Sequence, residues 1–173
     1  MPAAPATLTL GRHRDRHGRP GPWVRWLCLG LLAVVPICAL LDVFGQRTIV
    51  SSDSTPAAAL TLFAPSSARG GLMYTAQFKI EARKELKNAT LVLAPGWADQ
   101  YTLNGTSPQP SSENSQDGRI AFSLGDIPRG HLYTEFVSLQ VNPINVGHHA
   151  QTVWLYDGNR AVAVIHHSIM IWP

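Results

Sequence analysis

The side chains best suited to chemistry in this chain are histidines, and five of the seven lie in its second half. These five are His131, the adjacent pair His148-His149 and the adjacent pair His166-His167. A zinc site needs three or four ligands that converge on one point. Because neighbouring residues on a strand point to opposite faces, each pair supplies only one histidine to a shared site. Two histidines, such as His149 and His167 on paired strands, would still need a third ligand.

Two interpretations of these histidines remain open at the level of sequence. In one, Asp157 or Glu135 completes a site that senses a metal, a small ligand or pH, since histidine titrates near neutrality. In the other, His148 and His149 lie in a loop and His167 is a hydrogen-bonded core residue. The spacing specifies no set of three ligands. We therefore predict no metal and no cofactor, and sensing through the histidines stays the alternative function.

Motifs for catalysis are missing from the sequence. It contains no G-x-S-x-G nucleophile motif, no phosphate-binding glycine loop and no dinucleotide-binding fingerprint. Both cysteines, Cys28 and Cys38, lie inside an apolar run, which leaves residues 47–173 without a thiol. We therefore predict that the protein is not an enzyme.

Aromatic side chains are the strongest candidates for binding another protein. In the run QTVWLY, Trp154 and Tyr156 share one face of a strand and Val153 and Leu155 share the other. If Val153 and Leu155 fill the core, the two aromatic residues mark an interaction surface, because tryptophan and tyrosine are enriched at interfaces. If the aromatic pair fills the core instead, no such surface exists. Together with Trp97, Trp154 and Tyr156 form the predicted interaction patch.

Charge is unevenly distributed along the chain. Residues 1–46 contain five arginines and two aspartates, whereas nine basic and nine acidic side chains balance each other in residues 47–173. A neutral main domain offers no electrostatic surface for nucleic acid. We therefore predict no nucleic-acid partner, and we assign the basic tail to membrane lipid, since arginines bind anionic headgroups.

An apolar stretch, WLCLGLLAVVPICALL, follows the arginines and lies within a longer apolar segment, 23–44. As a helix this segment is about 33 Å long, enough to cross a hydrocarbon core of about 30 Å. Secretory signals have shorter apolar cores and an A-x-A-like cleavage site, which this segment lacks. We predict a retained anchor; the alternative is cleavage before Gln46, which would release a secreted binding domain. The residues expected at the membrane interface are Arg19, Trp23, Arg25 and Trp26.

The excess of arginine before the apolar segment predicts the orientation, because positively charged flanks stay in the cytoplasm. Residues 1–22 are then a disordered cytoplasmic tail, residues 23–44 a single transmembrane helix of the cell membrane, and residues 45–58 a short tether. Residues 47–173 are expected to be extracytoplasmic, with residues 59–173 as the folded domain.

Period-two alternation predicts that the folded domain is all-β. In MYTAQFKIEA, apolar and polar side chains alternate, as is typical of a half-buried strand. Asp157-Gly158 is a strong hairpin signal, and the polar run 104–118 is expected to be a long, exposed and flexible loop. Seven such strands within residues 59–173 predict an antiparallel β-sandwich. The predicted strands are 59–65, 73–82, 89–95, 119–124, 133–141, 151–156 and 161–172.

Residues 88–141 resemble Ig-like β-sandwich domains of bacterial cell-surface proteins. The resemblance rests on the turn Pro95-Gly96 and on a G-x-[IV]-x-[FW]-x-L-G-x-[IL]-x-x-G pattern from Gly118 to Gly130, followed by an alternating strand. It implies an Ig-like ectodomain without catalytic activity. Taken together with the anchor, it predicts a non-enzymatic protein-interaction module that binds another membrane or envelope protein.

Overall fold

The computed structural model describes residues 21–41 and 46–173, and it separates into two compact units, an N-terminal helix and a β-sandwich. Arg19 and nearly all of the predicted tail lie outside the described residues. The same holds for residues 42–45, which include the end of the predicted membrane segment.

The N-terminal helix, α1, runs from Pro22 to Leu40 and contains 19 residues. A proline in its first turn suits the helix start, because the missing N–H would have no helical partner there. At about 28 Å, α1 is close to the thickness of a bilayer's hydrocarbon core, and its mean hydropathy reaches 2.0. Length and composition of this kind are shared by membrane anchors and by signal sequences.

The sandwich contains eleven described strands and one short helix. In chain order they are β1 (Thr48–Ser54), β2 (Ala58–Pro65), β3 (Ser67–Arg69), β4 (Met73–Ala82), β5 (Leu86–Leu93), α2 (Pro95–Gln100), β6 (Tyr101–Ser107), β7 (Ser112–Gln116), β8 (Arg119–Ile127), β9 (Leu132–Val141), β10 (Gly147–Asp157) and β11 (Arg160–Trp172). One sheet has the order β1-β2-β4-β9-β6 and the other β3-β11-β10-β5-β8-β7. Neighbouring strands are antiparallel except for the short pair β3 and β11.

The core lies between the two sheets and consists of one face of most strands. Along β4, for example, every second residue from Tyr74 to Ala82 is buried and the residues between them are not. Phe78 from the first sheet and Leu91, Phe122 and Leu155 from the second have no exposed surface. All seven strands predicted from alternation are present, and the domain is the predicted two-sheet sandwich.

The segment predicted to be a tether contains β1, the edge strand of the first sheet. Side chains of β1 and of the residue that follows it bond to the neighbouring sheet's β11. The Val164 N–H donates to Asp53 Oδ2 at 2.8 Å, and the Thr55 hydroxyl donates to the Val162 carbonyl at 2.9 Å. The tether prediction is therefore wrong for residues 48–54: this stretch has no buried residue, and it is a strand because it pairs with β2 and bonds to β11.

The polar run 104–118, predicted to be one flexible loop, also contains strand structure. It includes the end of β6 and all of β7, and both strands lie at the edges of their sheets. Strand β7 is exposed along its whole length and pairs with β8 across a turn at Asp117-Gly118, whose φ angles are 52° and 71°. The prediction of exposure is thus right and that of a loop is wrong, because an edge strand can be held by backbone pairing alone.

The link between β1 and β11 predicts a specific stability defect. Replacing Asp53 with alanine leaves the Val164 N–H without its acceptor, so we expect Asp53→Ala to lower the free energy of unfolding by about 1–3 kcal/mol. Ser52→Ala, at an exposed position of the same strand, should change it by less than about 0.5 kcal/mol. Urea unfolding of the full chain in detergent micelles, followed by tryptophan fluorescence, measures both. Equal effects of the two substitutions would contradict the link.

Candidate protein-interaction surface

Alternation along β10 decides which side chains face outward. Val153 and Leu155 have no exposed surface and fill the core, whereas Trp154 and Tyr156 point away from the other sheet and are partly exposed. The structure therefore gives the arrangement in which the two aromatic residues lie on the solvent side of a strand.

Neighbouring strands extend this aromatic pair into a continuous surface. Trp154 lies directly opposite Val92 on β5, which in turn lies opposite Ala121 on β8. Tyr156 lies opposite Thr90 in the next row. The guanidinium carbon of Arg119 is 5.4 Å from the centroid of the Trp154 ring. We call this surface the outer aromatic face, and it consists of Thr90, Val92, Arg119, Ala121, Trp154 and Tyr156.

The outer aromatic face is broad and shallow. Two adjoining depressions share Val92 and Arg119; one reaches Tyr156 and the β10–β11 turn, and the other reaches Asn114 on β7. Arg119 supplies a fixed positive charge beside an aromatic ring, an arrangement stabilised by cation–π attraction. Such a surface can bury apolar area and pair with a carboxylate, which suits a protein partner better than a small molecule that needs an enclosed cavity.

Trp97, the third residue of the predicted interaction patch, is a core residue. It belongs to α2, which begins where a Pro-Gly turn was predicted, and its side chain has no exposed surface. Its ring centroid lies 6.0 Å from that of Phe78 and 5.9 Å from that of Tyr101. A helical turn at this point directs Trp97 between the sheets, so its prediction as part of a surface is wrong.

A Cβ on Gly96 would lie 2.6 Å from the Ala150 carbonyl oxygen, so glycine is required where α2 meets β10.

The histidines are distributed over different surroundings. His148 and His149 lie on β10 and not in a loop, and His149 and His167 share the inner face of the paired strands β10 and β11. Both ring nitrogens of His167 are engaged, with Nε2 donating to the Pro65 carbonyl at 3.1 Å and Nδ1 3.3 Å from the Ser51 hydroxyl. Burial lowers the pKa of His167, which keeps the ring neutral, and the hydrogen bond to Pro65 opposes this effect.

Glu135, named above as a third metal ligand, is instead a carboxyl group between the sheets. It lies on the inner face of β9 with no exposed surface. Its Oε2 accepts a hydrogen bond from the Tyr133 hydroxyl at 3.0 Å, and its Oε1 has no protein partner. Burial raises the pKa of Glu135, partly offset by the bond from Tyr133, and it raises the pKa of Tyr133 to about 12. Within residues 21–41 and 46–173, no three potential metal ligands converge.

A second group of polar side chains is buried beside α2. Gln151 on β10 donates through Nε2 to the Tyr101 hydroxyl at 2.6 Å, and the Tyr101 ring meets that of Tyr74 edge to face at 5.6 Å. Burial raises the pKa values of both tyrosines, so both hydroxyls stay protonated. Through Gln151 this buried group holds the first half of β10 in place. Trp154 and Tyr156 of the outer aromatic face lie later on the same strand.

Sequence reasoning missed Arg119, although a usable signal was present. Arg119 directly follows the turn Asp117-Gly118, and it alternates with Ile120 and Phe122, which are buried. Strand parity therefore places Arg119 on the outer face. The contact between Arg119 and Trp154 depends on the pairing of β5 with both β8 and β10. No local sequence pattern encodes that pairing.

Of the residues predicted at the membrane interface, those that the structure describes lie in the first turns of α1. Trp23, Arg25 and Trp26 are exposed, and the two tryptophans have 69% and 71% of their surface accessible. Arg19 lies outside the described residues. Their location at a membrane interface stays a prediction.

Comparison with known proteins finds distant structural similarity and no matching family. No family model matches the sequence, and no curated protein matches it. The chain is similar to CaCohA2, a cohesin from Clostridium acetobutylicum, with 16% identity, a TM-score of 0.45, and coverage of 61% of this chain and 84% of that one. It is also similar to a non-cellulosomal cohesin from Archaeoglobus fulgidus, with 17% identity, a TM-score of 0.43, and coverage of 73% and 92%.

An enzyme is among the structural neighbours as well. AvmM, which catalyses macrocyclization in alchivemycin A biosynthesis, is 9% identical, with a TM-score of 0.42 and coverage of 75% of this chain and 90% of AvmM.

The buried carboxyl group of Glu135 predicts an unusual dependence of stability on pH. A folded-state pKa raised above the ordinary 4.5 means that the stabilising form is the protonated one. Its contribution is complete below pH 4.5 and is lost as the pH rises through the folded pKa. We expect Glu135→Gln to be more stable than the native chain at pH 7, with the difference shrinking towards pH 4.

Urea unfolding at several pH values measures this difference. Glu81→Gln, at an exposed position of the adjacent strand β4, serves as the control and should follow the native chain at every pH. A constant difference between Glu135→Gln and the native chain from pH 4 to pH 8 would show that the carboxyl is not destabilised by burial.

Proposed function

We propose that this chain is a single-pass membrane protein whose extracytoplasmic sandwich is a non-enzymatic protein-interaction module. In this proposal α1 is retained as an anchor, residues 1–22 stay in the cytoplasm, and the sandwich binds another membrane or envelope protein. The Ig-like relationship of the sandwich to bacterial cell-surface domains belongs to the same proposal.

The outer aromatic face is the observation that carries the binding function. A solvent-facing strand position normally holds a polar side chain, but Trp154 and Tyr156 occupy two successive outward positions of β10. Tryptophan, tyrosine and arginine are the residue types that dominate binding energy at protein interfaces. Trp154 and Arg119 are already in contact, so a partner would meet a preordered surface and lose little side-chain entropy on binding.

The absence of catalysis in this proposal rests on the chemistry of the same surface. Thr90, Arg119 and Tyr156 are its polar residues, and the Thr90 hydroxyl donates to the Asn88 backbone carbonyl at 3.2 Å. Nucleophilic catalysis requires a hydroxyl paired with a general base, and a backbone carbonyl is not one. Arg119 and the aromatic rings are instead suited to recognition of a carboxylate and an apolar side chain.

The proposed orientation can be tested by protease treatment of intact cells that express the chain with a tag at each end. We expect the C-terminal tag to be lost and a membrane fragment that begins at Met1 to be protected. A mature protein that begins near Gln46 before treatment would identify α1 as a cleaved signal. A C-terminal tag that stays protected, in cells where known surface proteins are cleaved, would reverse the orientation.

The proposed interface can be tested by site-specific photo-crosslinking in cells that natively produce the protein. A photoreactive phenylalanine derivative replaces Tyr156 on the outer aromatic face or, as the control, Thr75 on the outer face of β4. We expect a discrete crosslinked protein from position 156 and none from position 75. Adding Trp154→Ala should weaken this crosslink about tenfold or more, since buried tryptophans at interfaces contribute upwards of 1–2 kcal/mol.

Folding of the variants must be checked for this result to be decisive. Trp154 is outward-facing and only partly buried, so Trp154→Ala should retain a cooperative unfolding transition. Equal crosslinking from positions 156 and 75, or a crosslink from 156 that Trp154→Ala leaves unchanged, would contradict the outer aromatic face as the binding site.

A further inference from the structure

Four segments that are distant in sequence form one end of the sandwich, the end at which β1 begins. The Ser66 N–H donates to the Arg47 carbonyl at 3.0 Å, and the Gly70 N–H donates to the Trp172 carbonyl at 2.8 Å. The turn between β3 and β4 is also joined to the end of β9, because the Val141 N–H donates to the Leu72 carbonyl at 2.9 Å. We call this end the β1-start end.

The β1-start end exposes large apolar side chains on two loop tips. Leu72 and Met73, at the start of β4, are 43% and 60% exposed. Ile144 and Val146, in the loop between β9 and β10, are 81% and 50% exposed. The two loops touch, because a Cβ on Gly70 would lie 2.9 Å from the Pro143 Cα.

Aromatic and basic residues border these apolar tips. Trp172 ends β11 with 36% of its surface exposed, and it pairs with Arg69 of β3. Arg47, which precedes β1, is exposed as well. Apolar tips with tryptophan and arginine around them match the composition of surfaces that enter the headgroup region of a membrane.

The opposite end of the sandwich has a different chemistry. Its turns include Arg83-Lys84-Glu85 between β4 and β5, Asp157-Gly158-Asn159 around the β10–β11 hairpin, and residues 128–131 between β8 and β9, beside which Leu132 is 63% exposed. The two turns adjoin, because the Lys87 N–H donates to Asp157 Oδ1 at 2.6 Å. Among the described residues, one end of the domain therefore carries four exposed apolar side chains on two adjoining loops, whereas the other end carries mainly charged and polar turns with Leu132 beside them.

Chain connectivity indicates what covers the apolar tips. The described part of α1 ends at Leu41, and β1 begins at Thr48. The residues between them reach at most about 25 Å when fully extended. If α1 crosses a bilayer, β1 enters the sandwich within that distance of the point where the chain leaves the membrane. The end with the apolar tips is thus the end that connectivity holds nearest to lipid.

We propose that the β1-start end docks on the lipid bilayer and inserts Leu72, Met73, Ile144 and Val146 into its interfacial region. This inference rests on the proposed anchoring by α1. Docking through these tips orients the sandwich with the hairpin at Asp157 to Asn159 directed away from the membrane. The outer aromatic face then stands upright beside the membrane, accessible to a partner held in the same bilayer.

The experiment uses the full chain with Cys28 and Cys38 replaced by alanine, so that one introduced cysteine can be labelled. Ile144→Cys carries a polarity-sensitive fluorophore at the apolar end, and Asn159→Cys carries it at the opposite end as the matched control. Each protein is reconstituted into vesicles of phosphatidylcholine and phosphatidylglycerol, with or without lipids that hold a quencher at shallow acyl-chain positions. Flotation of the vesicles on a density gradient reports whether the chain is anchored.

We expect both proteins to float, and the label at position 144 to emit at shorter wavelength and to be quenched several-fold more than the label at 159. Floating protein with equally water-exposed labels would overturn docking while leaving the anchor intact. A blue-shifted label at 144 that lipid quenchers do not reach would assign the tips to a second copy of the chain. Protein that fails to float would overturn the anchor and the docking together.

Discussion

Face-to-face packing of two sheets without a disulfide is the constraint on which the rest of this domain depends. The free cysteines of the described chain both lie in α1, so apolar contact between the inner faces has to hold the sandwich together. Each inner position is therefore committed to the core, and strand geometry then determines which side chains remain outside. Trp154 and Tyr156 point outward as a direct consequence, because they alternate along β10 with Val153 and Leu155, whose side chains fill the core.

The pattern of alternation made a large part of the fold predictable. Strands such as β4 and β9 could be read from sequence because one of their faces is apolar and the other polar. The pattern from Gly118 to Gly130 was informative for a related reason: Gly125 has a φ of 78° and lies where the pairing of β5 with β8 shifts register. A glycine at such a bulge reflects backbone geometry, which a local sequence pattern can record.

Elements held by backbone pairing or by a single side chain could not be predicted in this way. Strands β1 and β7 are edge strands without a buried face, so their sequences look like a tether and a loop. Trp97 was expected at the surface because nothing local distinguishes a Pro-Gly turn from the first turn of α2. Glu135 illustrates the opposite case, since its position on β9 follows the alternation but its charged side chain suggests an exposed site. The contact between Arg119 and Trp154 required the strand order, which only the folded chain provides.

The bonds that join β1 to β11 also have a consequence for when the domain can fold. Asp53 and its partner Val164 are 111 residues apart, and Ser51 and His167 are 116 apart. A sandwich whose first strand is closed by its last cannot complete its core while synthesis or export is under way, because the closing strand emerges after all the others. In the proposed extracytoplasmic location, the domain passes through the membrane as an open chain and closes afterwards. During that interval the edge of the first sheet lacks its bonds to β11, and exposed strand edges of this kind promote aggregation.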